Sequence, residues 1–436
     1  MCVKILSITN RIEAQKLSDM EHFDTLIVGG GPAGLMAAIR ASSLGQKTAI
    51  LEKNASLGEK LLLSGRGRCN FTNAEDDMNE FISRYGDNGK FLYSAFSRFG
   101  PRETMVFFAN IGVELKEERG KRIFPKEGGA RRVLESLIAQ CRKYSVATIR
   151  NSPVKALKIR NCRADCIITA NNEYTADKYI IATGGKSYPK TGSTGDGYAF
   201  ARQAGHTITD LYPALVPIRT AETWPKLASG CNLRNVRLHV LLDGREIDQR
   251  FGEMEFTNFG ISGPIVMELS SHVPDWTKQE GELIFSLDLK PSLTHEILTA
   301  RIKRDIDKFR GHKRFAGLVR SFVPAEMVRL IIELGDIPHD KPVEYISDEE
   351  IAEFVNLLKD IRMTVNGLWG FNNAVVTRGG VSLKEVDPAT MRSKLCDNLY
   401  FAGEILDLNG PSGGFNLQIC WSTGYIAGSV SKLSGE

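Results

Sequence analysis

Apolar positions along this chain change period in a fixed order. Residues 26–28 form a short apolar run, the pattern of a strand buried on both faces. An Ala/Leu-rich stretch of helical character follows, and residues 47–53 return to a strand that closes on the acid Glu52. Helical spacing recurs over 91–96 and 103–108, where the aromatics are expected in the core rather than in a site. Residues 153–157, 166–169 and 173–176 read as short strands of a meander, and 178–185 as a buried strand ending on glycines. Between 211 and about 289 strand alternation dominates, clearest at 236–240 and 283–287, with an apolar helix expected after the segment 255–264. Residues 293 to about 358 carry a helical pattern whose charge run reads as a solvated face. Strands are expected again at 363–368, 374–376 and 398–404, before a last helix over 417–427.

This order of βαβ, helices, meander and a strand ending AlaThrGlyGly is that of a doubly wound, Rossmann-like α/β domain. The 436 residues exceed what one hydrophobic core serves, so two or three domains are expected. With 42% hydrophobic and 25% charged residues the composition is that of an ordinary globular protein, and a net charge of +4 is too small to point to nucleic acid or an anionic membrane. No apolar run of about 18 residues occurs, so no membrane span is expected. Residues 1–20 hold scattered Lys4, Arg11 and Lys16 without the apolar segment of a signal peptide, and are expected to be an extension of little structure on a cytoplasmic protein. The eight cysteines include no CxxC and no metal-type cluster, so no metal site is expected; Cys162 and Cys166, the nearest pair, read as reduced thiols on a strand pair.

Gly29-x-Gly31-x-x-Gly34 falls where a strand turns into a helix, and that context gives the glycines three tasks: a tight turn, a side-chain-free approach for a pyrophosphate, and close contact between helix and strand. The phosphates are expected at the N-terminus of the helix that Pro32 and Ala33 open. Glu52, 18 residues past Gly34, is placed to accept hydrogen bonds from an adenosine ribose, and its charge favours FAD or NAD over NADP. Residues 57–70 mix glycines, cations and small polar groups, among them Lys60, Ser64, Gly65, Arg68 and Asn70, and read as a loop shaped around pyrophosphate or flavin. Thr183, Gly184 and Gly185 would return the chain to the cofactor, while residues 192–197 read equally as a phosphate loop or as a capped turn under the flavin. Near the C-terminus Gly403 and Glu404 end a strand with the acid placed for the ribityl hydroxyls of a flavin. Residues 410–418 form a glycine turn into the last helix, whose first N–H groups would face the flavin ring and favour the negative charge of reduction.

Together these motifs resemble the HI0933-like flavoproteins, also called the BaiN/RdsA family of FAD-dependent oxidoreductases. The matching stretches are 27–34, 64–73, 182–185 with 192–196, 256–264, 376–388 and 399–428. Arg66 stands where the family often has glycine, and Phe415 where tyrosine is common. The resemblance implies an FAD-binding domain made from 21–210 and 379–436, an inserted β-barrel from 211–290 and 361–378, and a nested helical module at 291–360. It implies FAD contacts from Gly29, Gly31, Gly34, Glu52, Lys53, Arg68, Val154, Gly185, Gly403, Glu404, Gly414, Asn416 and Leu417. Pro32, Ala33, Lys60, Ser64, Gly65, Asn70, Thr183, Gly184, Gly413 and Phe415 complete the candidate cofactor set.

Family activities include reduction of a carbon–carbon double bond conjugated to a carbonyl, as in bile-acid intermediates, and oxidation of aminoacetone. The leading expectation is an FAD-dependent reductase that passes hydride from NAD(P)H to an enone-type bond of a small, steroid-like molecule. No second GxGxxG follows a strand, so the nicotinamide would have to visit the flavin directly. Arg68 and Arg378 are the candidate catalytic cations, placed to polarise the acceptor's carbonyl or hold the reduced flavin. A peroxide-forming oxidase of a small amine or aminoketone fits the missing nicotinamide domain equally. A flavin-holding RNA- or protein-binding module, using the basic surface between Arg301 and Arg314, is the third reading. The expected partner is a small molecule, with no membrane partner; nucleic acid is not expected, and the oligomeric state is open.

Overall fold

The computed structural model describes residues 21–430, and the expected extension at 1–20 lies outside them. The chain up to Tyr212 and from Val376 onward makes one compact unit, and Pro213–Val375 makes a second.

In the first unit β1 (Glu21–Val28) turns into α1 (Pro32–Ser43) and β2 (Thr48–Leu51). Residues 25–28 and all of β2 are uncharged and covered on both faces, as a central parallel strand requires. The segment expected as a loop at 57–70 begins with a short helix, α2 (Glu59–Leu63), because Leu61 turns into the core. After α3 (Gly129–Lys143), β3 (Ala147–Ile149) joins the sheet. The meander β4 (Val154–Arg160), β5 (Arg163–Thr169) and β6 (Glu173–Ile181) follows, and α4 (Asp196–Gln203) comes after it. The strand order is β3-β2-β1-β6-β5-β4. The two segments expected at 173–176 and 178–185 are one strand, because β6 pairs with β1 without a break in direction from Tyr174 to Ile181. Cys166 is buried on β5, whereas Cys162 sits exposed in the left-handed turn before β5 rather than on a strand; both thiols are free.

The second unit is a closed antiparallel barrel. Its strands are β7 (Ile218–Thr220), β8 (Asn232–Leu242), β9 (Arg245–Thr257), β10 (Gly260–Ser262), β11 (Leu283–Asp288) and β12 (Ile361–Leu368), in the order β7-β10-β9-β8-β11-β12. The expected apolar helix is α5 (Pro264–Ser270). Between β11 and β12 run helices that include α6 (His295–Phe309), capped by Thr294, and α7 (Asp348–Lys359), opened by a Ser347/Glu350 capping box. Leu298, Ile302, Phe354 and Leu358 of these helices share one apolar core with Phe256, Phe285 and Met363 of the barrel. Lys359 fastens helix to strand: its ammonium lies 2.6 Å from Asp288 Oδ2 and also donates to the carbonyls of Lys290 and Leu293.

The chain then returns to the first unit through a short strand, Val376–Arg378, a little beyond the expected 374–376. β13 (Leu399–Phe401) pairs in parallel with the last residues of β6, and α8 (Phe415–Ser429) packs on α1. Close approach explains the small residues there: a Cβ at Gly424 or Gly428 would lie 2.4 Å from the carbonyl oxygen of Ala33 or Ala37. Among the described residues no helix is long and apolar enough to cross a membrane, and no cluster of ligating side chains could hold a metal ion.

The far end of α8 is held by Lys178, whose buried ammonium donates to the carbonyls of Ala427 (3.2 Å) and Val430 (2.7 Å). Burial pulls its pKa down to about 7, whereas in the unfolded chain it stays near 10.5. Between those values the unfolded state binds a proton that the folded state has lost, so stability rises with pH across that window. Wild type is expected to gain on Lys178→Met between pH 7 and pH 9, by at most about 1.4 kcal/mol per pH unit. Urea midpoints of the two proteins at each pH measure this; parallel midpoints at both would refute it.

Candidate cofactor site

The three fingerprint glycines are required by different neighbours. Gly29 has φ +104°, and a Cβ there would lie 2.5 Å from the Ala182 carbonyl oxygen. A Cβ on Gly34 would lie 1.9 Å from the carbonyl oxygen of Gly29. Both are therefore demanded by the polypeptide itself. Gly31 is not: its backbone is extended at φ −78°, and an added Cβ would meet nothing within 4 Å. The space in front of Gly31 suits a group that the chain does not contain, and the pyrophosphate of FAD fits it. Behind that space is the N-terminus of α1, where Pro32 at the first position has no N–H to lose and the first-turn amides of Ala33 and Gly34 have no intrahelical acceptor.

Glu52 sits beside this turn, with Oε2 accepting the Gly30 N–H at 2.7 Å and Oε1 accepting the Asn54 N–H at 2.9 Å. Two backbone donors fix the carboxylate and leave its remaining lone pairs for a ribose diol. Lys53 turns to Asp196, 2.8 Å away, and so ties the end of β2 to the start of α4. Val154 is the first residue of β4 and pairs with Thr169 on β5.

Past α2 the chain makes a run of left-handed residues: Gly65, Arg66, Gly67 and Cys69 all have φ between 57° and 83°. Ser64 donates to the Leu61 carbonyl, and a Cβ on Gly65 would lie 2.9 Å from the Asn70 amide nitrogen. Arg66 is exposed with φ +57°, which gives a physical reason for glycine being common at this position. Arg66→Gly is expected to raise unfolding free energy by about 0.5–1 kcal/mol, relief of strain outweighing the added freedom of the unfolded chain. A urea titration checks it, and a loss of stability would refute it. Arg68 leans away over the Phe124 ring (4.2 Å) and pairs with Glu118 at 2.5 Å; with Lys116 it holds the Glu118 carboxyl down to about 2. Asn70 turns to the other chain end: its amide donates to the carbonyls of Ile123 and Thr72 and accepts the Gly414 N–H at 3.2 Å.

Lys60 and Glu404 form the polar centre of the site. Lys60 Nζ lies 2.7 Å from Glu404 Oε2 and 2.6 Å from Ser187 Oγ, and Glu404 Oε1 accepts from Ser187 Oγ and the Thr377 N–H, each at 2.7 Å. Gly185 is crowded by this cluster, since a Cβ there would lie 2.4 Å from Thr377 Oγ1, whereas Gly184 has φ +73° and a Cβ there would lie 2.9 Å from Ser193 Oγ. Thr183 is next to them, its buried hydroxyl without a hydrogen-bond partner among the described residues. Gly403 brings β13 against the start of α1, where its Cβ would lie 2.7 Å from that of Ala33. Ser187 and Thr377 carry no signal in the sequence, since lone hydroxyl residues have no characteristic spacing.

The turn into α8 is held from within. Asn416 accepts the Gly410 N–H at 2.9 Å and donates to the carbonyls of Gly410 and Pro411, so its side chain shapes the loop. Gly414 is pressed on Thr72, whose carbonyl oxygen would lie 2.3 Å from an added Cβ, and Gly413 precedes it at φ +113°. Phe415 packs against Phe81 and Tyr85, and the Tyr85 hydroxyl donates to its carbonyl. Leu417 lies half-buried against the core, and Gln418, fully buried, holds Thr72, Thr104 and Ser422 together. Arg378, at the end of its short strand, lies near Asp407, whose carboxyl is raised by burial.

The model described as "HI0933-like protein Rossmann domain" matches residues 23–430. The chain is 33% identical over 407 residues to the 3-dehydro-bile acid delta(4,6)-reductase of Clostridium scindens, covering 93% of this chain and 98% of that protein. It is 30% identical to the ribosomal RNA dihydrouridine synthase of Haemophilus influenzae, covering 94% and 99%. Two solved structures share the fold alone. A flavocytochrome c3 fumarate reductase has a TM-score of 0.52 at 16% identity, covering 97% of this chain and 80% of the other. The 3-ketosteroid delta1-dehydrogenase of Sterolibacterium denitrificans has 0.53 at 14%, covering 94% and 99%. The family model and a 33% identical relative both match this chain over nearly its whole length, and on that ground this protein belongs to the HI0933-like family of FAD-dependent oxidoreductases.

Proposed function

We propose that this chain reduces a carbon–carbon double bond conjugated to a carbonyl, with NAD(P)H as donor and a small steroid-like enone as the first acceptor to test. A single observation carries the reading: two relatives, each covered almost completely, are named for what is chemically one step. A 3-dehydro-bile acid unsaturated at C4 and C6 is a conjugated ketone. Dihydrouridine is uridine whose ring double bond, conjugated to a carbonyl, has been saturated. The reaction is thus common to a steroid and a nucleobase, and the chain's FAD-type cradle suits it.

FAD held on the glycine turn supplies hydride transfer between the nicotinamide and the acceptor. Gly31 and the first turn of α1 receive the pyrophosphate, and Glu52 takes the adenosine ribose. Glu404, fixed by Lys60, Ser187 and the Thr377 N–H, is assigned to the ribityl hydroxyls. Arg378 is the catalytic candidate, since a fixed guanidinium beside the acceptor's carbonyl oxygen stabilises the negative charge that grows there as hydride adds to the β carbon. Arg68 is committed to Glu118 and Phe124, so we assign it to holding the 64–70 loop. With one dinucleotide fingerprint in the sequence, donor and acceptor use the flavin in turn.

Anaerobic mixing of the flavin-loaded protein with NADH or NADPH is expected to bleach the flavin. A 3-keto-4-ene steroid, or a uridine-containing RNA, should then restore the colour. Arg378→Met is expected to slow that second step by about 100-fold while bleaching proceeds normally. Absence of bleaching by either nicotinamide overturns the reading, and peroxide formed from a small amine alone would replace it with the oxidase.

A further inference from the structure

Tyr188 holds a backbone conformation that its residue type and its place both disfavour. It lies between the matched stretches 182–185 and 192–196, with φ +51° and ψ +59°, in the left-handed region that a bulky side chain rarely enters. Pro189 follows it, and a residue before proline is ordinarily extended. The chain holds it there from both sides. Its carbonyl accepts the Thr191 N–H at 2.9 Å and the Thr191 hydroxyl at 2.7 Å. The two amides on its other side, of Lys186 and Ser187, both donate to Thr377 Oγ1, at 2.8 Å and 3.1 Å.

The fold does not use this residue for its own cohesion. The Tyr188 ring is half-buried yet joins neither apolar core, and its hydroxyl has no hydrogen-bond partner among the described residues. A strained residue that its surroundings over-determine without packing on it points to a ligand. Its neighbours narrow the task. Ser187 and Thr377 are hydrogen-bonded to each other and both donate to Glu404, so Tyr188 and Arg378, each the next residue along, stand on one cluster. The other donors there are committed: Lys60 to Glu404 and Ser187, the Ser187 hydroxyl to Glu404, and the Thr377 hydroxyl to Ser187 at 3.3 Å. The Tyr188 phenol is left with a proton to give.

We propose that Tyr188 is the proton donor of the reaction, a catalytic residue that acts on the α carbon of the acceptor while Arg378 meets its carbonyl oxygen. The inference rests on the enone reduction proposed above. As hydride bonds to the β carbon, the electron pair of the double bond moves toward the α carbon and the carbonyl oxygen. The Tyr188 O–H bond breaks, its proton bonds to the α carbon, and the phenolate takes a proton back from water. A phenol fixed on one side of the acceptor delivers that proton to one face, and the hydrogen bonds around residues 186–191 do the fixing.

With flavin-loaded protein reduced by NADH or NADPH and a 3-keto-4-ene steroid as acceptor, Tyr188→Phe is expected to slow reoxidation about 100-fold relative to bleaching in the same sample. In heavy water the wild-type product, isolated before exchange, should carry deuterium on one face of the α carbon, and the Tyr188→Phe product on both. Tyr188→Asn, which suits the left-handed backbone, should raise the melting temperature of the loaded protein by about 1–3 °C although an aromatic ring is removed. A fall of several degrees would show the ring serving the fold and overturns the proposal. Wild-type speed in Tyr188→Phe, or labelling still confined to one face, overturns it and leaves the enone reading in place, whereas a wild type that no enone reoxidises overturns both.

Discussion

Gly31→Val gives a protein that folds and stays colourless. Its φ suits any residue and the added Cβ has no neighbour within 4 Å, so the polypeptide has room where the side chain begins, whereas a phosphate approaching the turn would meet it. FAD affinity is expected to fall at least about 100-fold, or about 3 kcal/mol, with the melting temperature of the flavin-free protein unchanged. Gly34→Ala is the opposite case: the methyl would fall 1.9 Å from the Gly29 carbonyl oxygen, so α1 must lift from the sheet and the fold itself is lost or weakened by several kcal/mol. Flavin-to-protein ratio and thermal melts of the two variants separate binding from folding at positions three residues apart. Retention of stoichiometric FAD by Gly31→Val would remove the basis of the cofactor assignment.

Gln418→Leu is expected to cost about 3–4 kcal/mol of unfolding free energy although it conserves volume. Gln418 is completely buried; its Oε1 accepts from the Thr72 hydroxyl at 2.6 Å, and its Nε2 donates to Thr104 and Ser422, each at 2.8 Å. Leucine leaves these groups buried without their partner, at about 1–3 kcal/mol each where nothing replaces it. The residue also anchors α8 to segments from the other end of the chain, so the variant should lose flavin in step with its stability. Guanidinium denaturation gives the number, and a change below about 1 kcal/mol would show that the network relaxes around the loss.

The part of the site legible in the sequence is the part that is local. Gly29, Gly31, Gly34 and Glu52 lie on one strand–turn–helix–strand unit, where each residue's task follows from its distance along the chain to the next. The Lys60–Ser187–Thr377–Glu404 cluster could not be read in this way, since four segments far apart in sequence supply one residue each and no periodicity links them. Lys60 and Glu404 were legible singly, from glycine context, but not as partners. Arg68 misleads for a related reason: its loop composition points to an anion, yet Glu118, fifty positions away, is the anion it meets. For the fold, the barrel's strands were legible by alternation, while their closed order depends on pairings such as β7 with β12 that span the helical insertion.

That β13 and α8 complete a sheet begun at residue 21 also sets a timetable for synthesis. At about 5–20 residues per second a ribosome takes on the order of ten seconds or more to travel from the end of β6 to α8. Throughout that interval the nascent chain holds β6 without its last neighbour and α1 without its cover, while the residues of the intervening unit are being made. Flavin loading is therefore expected only after α8 has been made.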